Sequence, residues 1–82
     1  ESKDGNNYNS LAFVRFRSGD YPGAIADYTT ALSLDASGAS SYYMRGRAKA
    51  LTGDATAQAD IDKGLSLEPG VADRYARYGI AP

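Results

Sequence analysis

Apolar positions along the chain recur at helical spacing. Tyr8, Leu11, Ala12 and Phe16 form a first stripe, and Ala24, Ile25, Tyr28, Ala31 and Leu32 form a second, each close to the i, i+3, i+4 pattern of a helix with one buried face. Gly19-Asp20 breaks the first helix. Asp20 is placed to cap the next, where a carboxylate accepts from free backbone N–H groups. Pro22 then falls in the first turn, where its missing N–H costs little. Asp35 to Gly38 ends the second helix, and Ser37 is expected to cap the third. The pattern then predicts helices over about 39–52 and 55–67, separated by Gly53-Asp54. A Glu68-Pro69-Gly70 stop follows, and then a short last helix over about 71–79. No segment alternates as a half-buried strand does.

The pattern repeats internally. Tyr8 returns as Tyr42, Ala12 as Gly46, and Gly19-Asp20 as Gly53-Asp54, all 34 residues apart. The second half returns at 33 residues: Ala24 as Ala57, Asp27 as Asp60, Tyr28 as Ile61, Ala31 as Gly64. One residue is therefore missing near Ala55, which should shorten or tilt the start of the fourth helix. A third copy begins with Tyr75, Tyr78 and Gly79 opposite Tyr42, Arg45 and Gly46. The small positions Ala12/Gly46, Ala24/Ala57 and Ala31/Gly64 recur where two antiparallel helices must approach. A larger side chain there would overpack at a cost of ~1–3 kcal/mol.

These residues resemble the tetratricopeptide repeat, a 34-residue helix-turn-helix unit. The matching positions are Tyr8-x2-Leu11-Ala12, Ala24-x3-Tyr28 and Ala31, then Tyr42-x2-Arg45-Gly46, Ala57-x3-Ile61, Gly64 and Pro69. The resemblance runs over about residues 6–79. It implies an all-α fold: two such repeats plus a short C-terminal capping helix, stacked as a right-handed α-solenoid. The implied single domain is 6–82, with repeat 1 about 5–38, repeat 2 about 39–71 and the last helix about 71–79. Residues 1–5 are expected to be a disordered tail. Three departures stand out. Arg15 and Lys49 occupy the family's usual Tyr position, where their stems would pack and their charges reach water. Ala36 replaces the first unit's terminal Pro, and the deletion near Ala55 breaks the period.

In this family the first helix of each pair lines a concave groove. By resemblance that groove takes Asn6, Asn9, Ser10, Phe13, Phe16 and Arg17 from the first helix. It takes Tyr43, Met44, Arg47 and Leu51 from the third, and Asp73, Ala76 and Arg77 from the last. The candidate peptide-binding residues are Asn9, Phe13, Arg17, Tyr43, Met44, Arg47, Leu51 and Arg77. Aromatic rings and Met offer an adaptable apolar floor, and Arg grips carboxylates in bidentate fashion. A peptide with acidic and apolar side chains would complement the set. Tyr43 is the aromatic most readily assigned a functional role, whereas Tyr8, Tyr42 and Tyr75 read as core. Chaperone-binding members of the family clamp a C-terminal carboxylate at positions matching Asn9, Phe13, Met44, Asp73 and Arg77. Among these only Arg77 has the expected type, which argues against such a clamp.

Composition narrows the remaining classes. Lys and Arg number nine against ten Asp and Glu, giving net charge −1, without the positive excess of a general nucleic-acid binder. There is no Cys or His, so thiol chemistry, zinc-thiolate sites and the usual general base near neutral pH are missing. The glycines form neither phosphate-loop nor dinucleotide spacing. Asp60 and Asp62 do not share a helix face, and the acids read as turn, helix-end or solvated-face residues. The sequence therefore implies no enzyme, cofactor, metal site, nucleic-acid partner or membrane span. The absence of Cys suits cytoplasm and periplasm alike. The leading expectation is a module that binds a peptide or protein segment in its groove. The rival is a piece of a longer repeat array, or a protein that self-associates through an exposed Tyr75/Tyr78/Ile80 patch at the C-terminal end.

Overall fold

A computed structural model describes residues 5–80, with side chains from Asn7 onward. The expected tail over residues 1–5 lies outside the described residues except for Gly5, which opens the first helix. Five helices follow in order: α1 Gly5–Arg17, α2 Tyr21–Leu34, α3 Ala39–Leu51, α4 Ala57–Leu67 and α5 Val71–Ala76. The main packing is α1 on α2 and α3 on α4, with α3 also laid against α2 and α5 resting on α3 and α4. Two helical hairpins are thus stacked, and the short α5 closes one end.

The first, third and fifth helices stop in the same way. Gly19, Gly53 and Gly79 have φ of 89°, 78° and 88°, the left-handed backbone that glycine adopts without steric cost. The amide of the following residue then reaches back to the carbonyl five residues earlier. Asp20 donates to Arg15, Asp54 to Lys49 and Ile80 to Tyr75, at 2.8, 2.9 and 3.0 Å. This double-bonded stop satisfies the carbonyls that a helix end leaves open. Gly79 therefore ends α5 at the place where Gly46 sits inside α3, and the last helix is shorter than its expected 71–79.

Asp20 caps α2, its Oδ1 accepting from the Gly23 amide at 3.0 Å, with Pro22 in the first turn. The repeat-equivalent Asp54 does not cap. With one residue deleted, its Oδ1 accepts instead from Thr56 N and Oγ1, at 2.8 and 2.7 Å, and α4 begins only at Ala57. Those bonds hold the Asp54 carboxyl below its usual pKa, the backbone donor being the largest cause. Ser37 does not cap α3 as expected. Its hydroxyl and amide both turn back to Asp35 Oδ1 at 2.7 and 3.1 Å, while Gly38 holds the cap position without a side-chain bond.

Ala12, Phe16, Ala24, Tyr28, Tyr43, Met44, Ala48, Ile61, Val71 and Tyr75 form one core. The small positions behave as the repeat implies. A Cβ at Gly46 would lie 2.6 Å from Ile61 Cγ1 and 2.9 Å from the Ala57 carbonyl oxygen; at Gly64 it would lie 2.8 Å from Tyr43 N. Leu11 departs from the stripe assigned to it, being 44% exposed, and Val14 one turn on is 64% exposed. Tyr8 and Tyr42 are half-buried, and only Tyr75 of the recurring tyrosines reaches the core.

Candidate functional site

Ion pairs within the stack show which cations are committed to the scaffold. Arg15 and Lys49 pair with the acids of the helix opposite; the Arg15 side chain stays 43% exposed, whereas that of Lys49, expected to reach water, is only 15% exposed. Arg15 Nε lies 2.8 Å from Asp27 Oδ2, and Lys49 Nζ lies 2.8 Å from Asp60 Oδ2. The Arg15–Asp27 contact is an ion pair without hydrogen-bond alignment. Asp27 and Asp60 are repeat equivalents, as are Arg15 and Lys49, so one cross-helix ion pair recurs in both units. Asp60 is buried, which overturns the solvated-face reading of that acid. Arg45 also joins it, and the Asp60 carboxyl is held below its ordinary pKa. Burial pushes it up, but the bonds from Arg45 and Lys49 outweigh that push. Arg74 is held by Glu68 and Ser40, at 2.9 and 2.8 Å from Nη2, and lies over the Tyr75 ring. The sequence reading missed Arg74, because its partners lie in a preceding loop and another helix.

The expected groove residues divide into four sets. Tyr43 and Met44 are 2% and 0% exposed, and belong to the core rather than to an open floor. Tyr43 stacks beneath Tyr75, with ring centroids 6.0 Å apart: α5 has closed over that part of α3. Asn9 is half-buried and ties α1 to α3, its Oδ1 accepting from Ser41 Oγ at 3.1 Å. Arg77 is exposed and lines neither of the clefts described next. The side chain of Asn6 lies outside the described residues.

The remaining four, Phe13, Arg17, Arg47 and Leu51, gather around residues 78–80, which fold back from α5 towards α1. Phe13 meets Tyr75 edge-on at 5.6 Å and Tyr78 at 6.1 Å. Arg17 lies over the Phe13 ring and donates from Nη1 to the Tyr78 carbonyl at 2.9 Å. Phe16, Arg17, Tyr21, Tyr78, Gly79 and Ile80 surround a cleft of about 260 Å³. A second, of about 170 Å³, lies among Phe16, Arg47, Leu51, Gly79 and Ile80. Phe16, Gly79 and Ile80 thus stand in the wall of both. Leu51 is 57% exposed.

Tyr21 and the 78–80 turn line the clefts but were not in the groove set expected from the sequence. One local signal for the turn exists. An apolar residue directly after a positive-φ glycine commonly packs back on its own helix, and Ile80 does so beside Tyr75. The expected exposed patch at that end is not formed as such: Tyr75 is buried and Ile80 half-buried, leaving Tyr78 exposed.

Chemically the clefts offer rings, aliphatic surface and two guanidinium-bearing side chains. Among the described residues no three His, Cys, Asp or Glu side chains are grouped to hold a metal ion. No described helix is long and apolar enough to cross a membrane. Compared with known proteins, residues 12–53 match the family model described as TPR repeat. No curated protein and no solved structure matches the chain.

Proposed function

The chain belongs to the tetratricopeptide-repeat family, whose repeats serve as protein-interaction scaffolds, and on that premise we propose that it binds a peptide or protein segment across the face where α1 meets α3. The observation that carries this reading is the pair of clefts between Phe16, Arg17, Arg47 and Leu51. Apolar surface there is bordered by guanidinium groups, the combination that anchors a peptide side chain beside an acidic or carbonyl oxygen. The function is binding without catalysis, and the ligand has apolar and acidic character. The test is selection from a random-peptide library on the full chain, followed by binding to Arg47→Ala and Leu51→Asp. Peptides of the concave face lose at least fivefold affinity in both variants while the thermal transition stays in place. Equal binding to both variants would remove the assignment.

A second reading, association with a second copy, is favoured by one observation, which moves the sticky end from α5 to α1. Val14 is the repeat equivalent of Ala48. Ala48 is fully buried on the α3 face from which Arg45 reaches Thr29 of α2. The corresponding face of α1, with Leu11 and Val14, has no helix of the described chain against it. Light scattering across a concentration series tests this: association abolished by Val14→Glu supports it, and a wild-type chain that stays at 8.7 kDa counts against it.

A further inference from the structure

The residues that turn back after α5 have the contacts of a bound peptide. Tyr78 places its ring beside Phe13 and its carbonyl on Arg17. Gly79, at φ 88°, turns the chain. Ile80 packs against the core and lines both clefts. Three contacts in succession, an aromatic ring, a backbone oxygen on a guanidinium and an aliphatic side chain, fall on Phe13, Arg17, Phe16 and the Arg47–Leu51 edge. Of these, Phe13, Arg17, Arg47 and Leu51 are exposed or half-buried, whereas Phe16 belongs to the buried core. Tyr78 nevertheless remains 48% exposed, so the segment is held at its edge and is not sealed into the core.

We propose that residues 78–80 are a built-in occupant of the concave cleft, and that the partner is an extended peptide of aromatic–small–aliphatic pattern that displaces them. This rests on the reading of the concave face as a binding surface. A tethered segment competes at an effective concentration of about millimolar. The partner's apparent affinity is then reduced by the fraction of molecules in which the cleft is open. Releasing the segment should restore the intrinsic affinity.

The probe is the peptide acetyl-Ala-Arg-Tyr-Gly-Ile-amide, a copy of residues 76–80, added to the full chain. The chain has three isoleucines, Ile25, Ile61 and Ile80, so methyl-labelled NMR reports the segment directly. On addition of millimolar peptide, the Ile80 methyl moves to its free-chain position while Ile61 stays. In Ile80→Asp the same peptide binds at least tenfold more tightly. If Ile80→Asp fails to fold, the Ile80 methyl of the wild-type chain decides alone. A peptide that shifts the signals of Phe13 and Leu51 but leaves Ile80 in place would overturn the inference and leave the concave surface standing. A peptide that binds neither the wild-type chain nor a folded Ile80→Asp would overturn the aromatic–small–aliphatic pattern, the library selection remaining the separate test of the surface.

Discussion

Arg45 donates from Nε and Nη2 to the two carboxylate oxygens of Asp60, at 2.7 and 2.9 Å. With Lys49 on the same carboxylate, two α3 cations meet one buried α4 acid. Replacing Asp60 by Asn leaves both cations facing a neutral group. The expected loss is about 1.5–3 kcal/mol, the range for hydrogen bonds to charged groups. Urea denaturation at pH 7 measures it.

The same acid sets a pH dependence. Its folded pKa lies below the unfolded value, which is about 3.9 for Asp. Its contribution is therefore complete above pH ~4 and disappears as pH falls through the lower folded value. Midpoints measured at pH 7, 5 and 3 should drop between the last two. The drop should be smaller in Asp60→Asn.

Gly46 and Gly64 are expected to resist replacement by alanine, although alanine in a helix interior is worth about 1 kcal/mol over glycine. The new methyl at Gly46 meets Ile61 and the α4 backbone; at Gly64 it meets the α3 backbone. Overpacking of ~1–3 kcal/mol should equal or exceed the gain. A raised melting temperature in Gly46→Ala would contradict the close approach.

Tyr43→Ala is a folding variant. The ring is buried under Tyr75, and deletion of an aromatic side chain from a core costs about 3–5 kcal/mol. Much of the stability of a domain of this size would go. Circular dichroism should show loss of the cooperative transition, whereas Leu51→Asp retains it.

Asp20→Ala removes the α2 cap together with the bond from Arg15 Nη1. The expected cost is about 1 kcal/mol, the usual magnitude for such a cap. Asp54→Ala lacks the cap term, so the two variants should differ in a paired denaturation experiment, despite occupying the same place in the repeat.

Local signals carried most of the fold. Gly19 and Gly53 mark the two hairpin turns, Asp20 with Pro22 marks the start of α2, and the small residues mark the helix contacts, because each acts within a few residues of itself. The deletion near Ala55 was visible as a change of period and appears as the late start of α4. Long-range relations were less legible. Asp60 looks like an exposed acid until Arg45 and Lys49, 15 and 11 residues earlier, are folded against it. Tyr43 and Met44 belong to the groove by resemblance to the repeat, but both are buried, and the Tyr43 ring lies beneath Tyr75 of α5. Gly79 followed by Ile80 signals a turn, but nothing local names Phe13 and Arg17 as its contacts, since the bond to Arg17 closes a loop of 61 residues.

The turn at Gly79 also gives the stack a polarity. At the α1 end, Leu11 and Val14 repeat the face by which α3 joins α2, so another helix pair would meet a surface of familiar shape. At the other end, α5 stops after two turns and the backbone is diverted into the inner curve. The two ends of the described stack therefore differ in character: one presents open aliphatic surface at Leu11 and Val14, and at the other Val71 and Tyr75 of α5 are already buried.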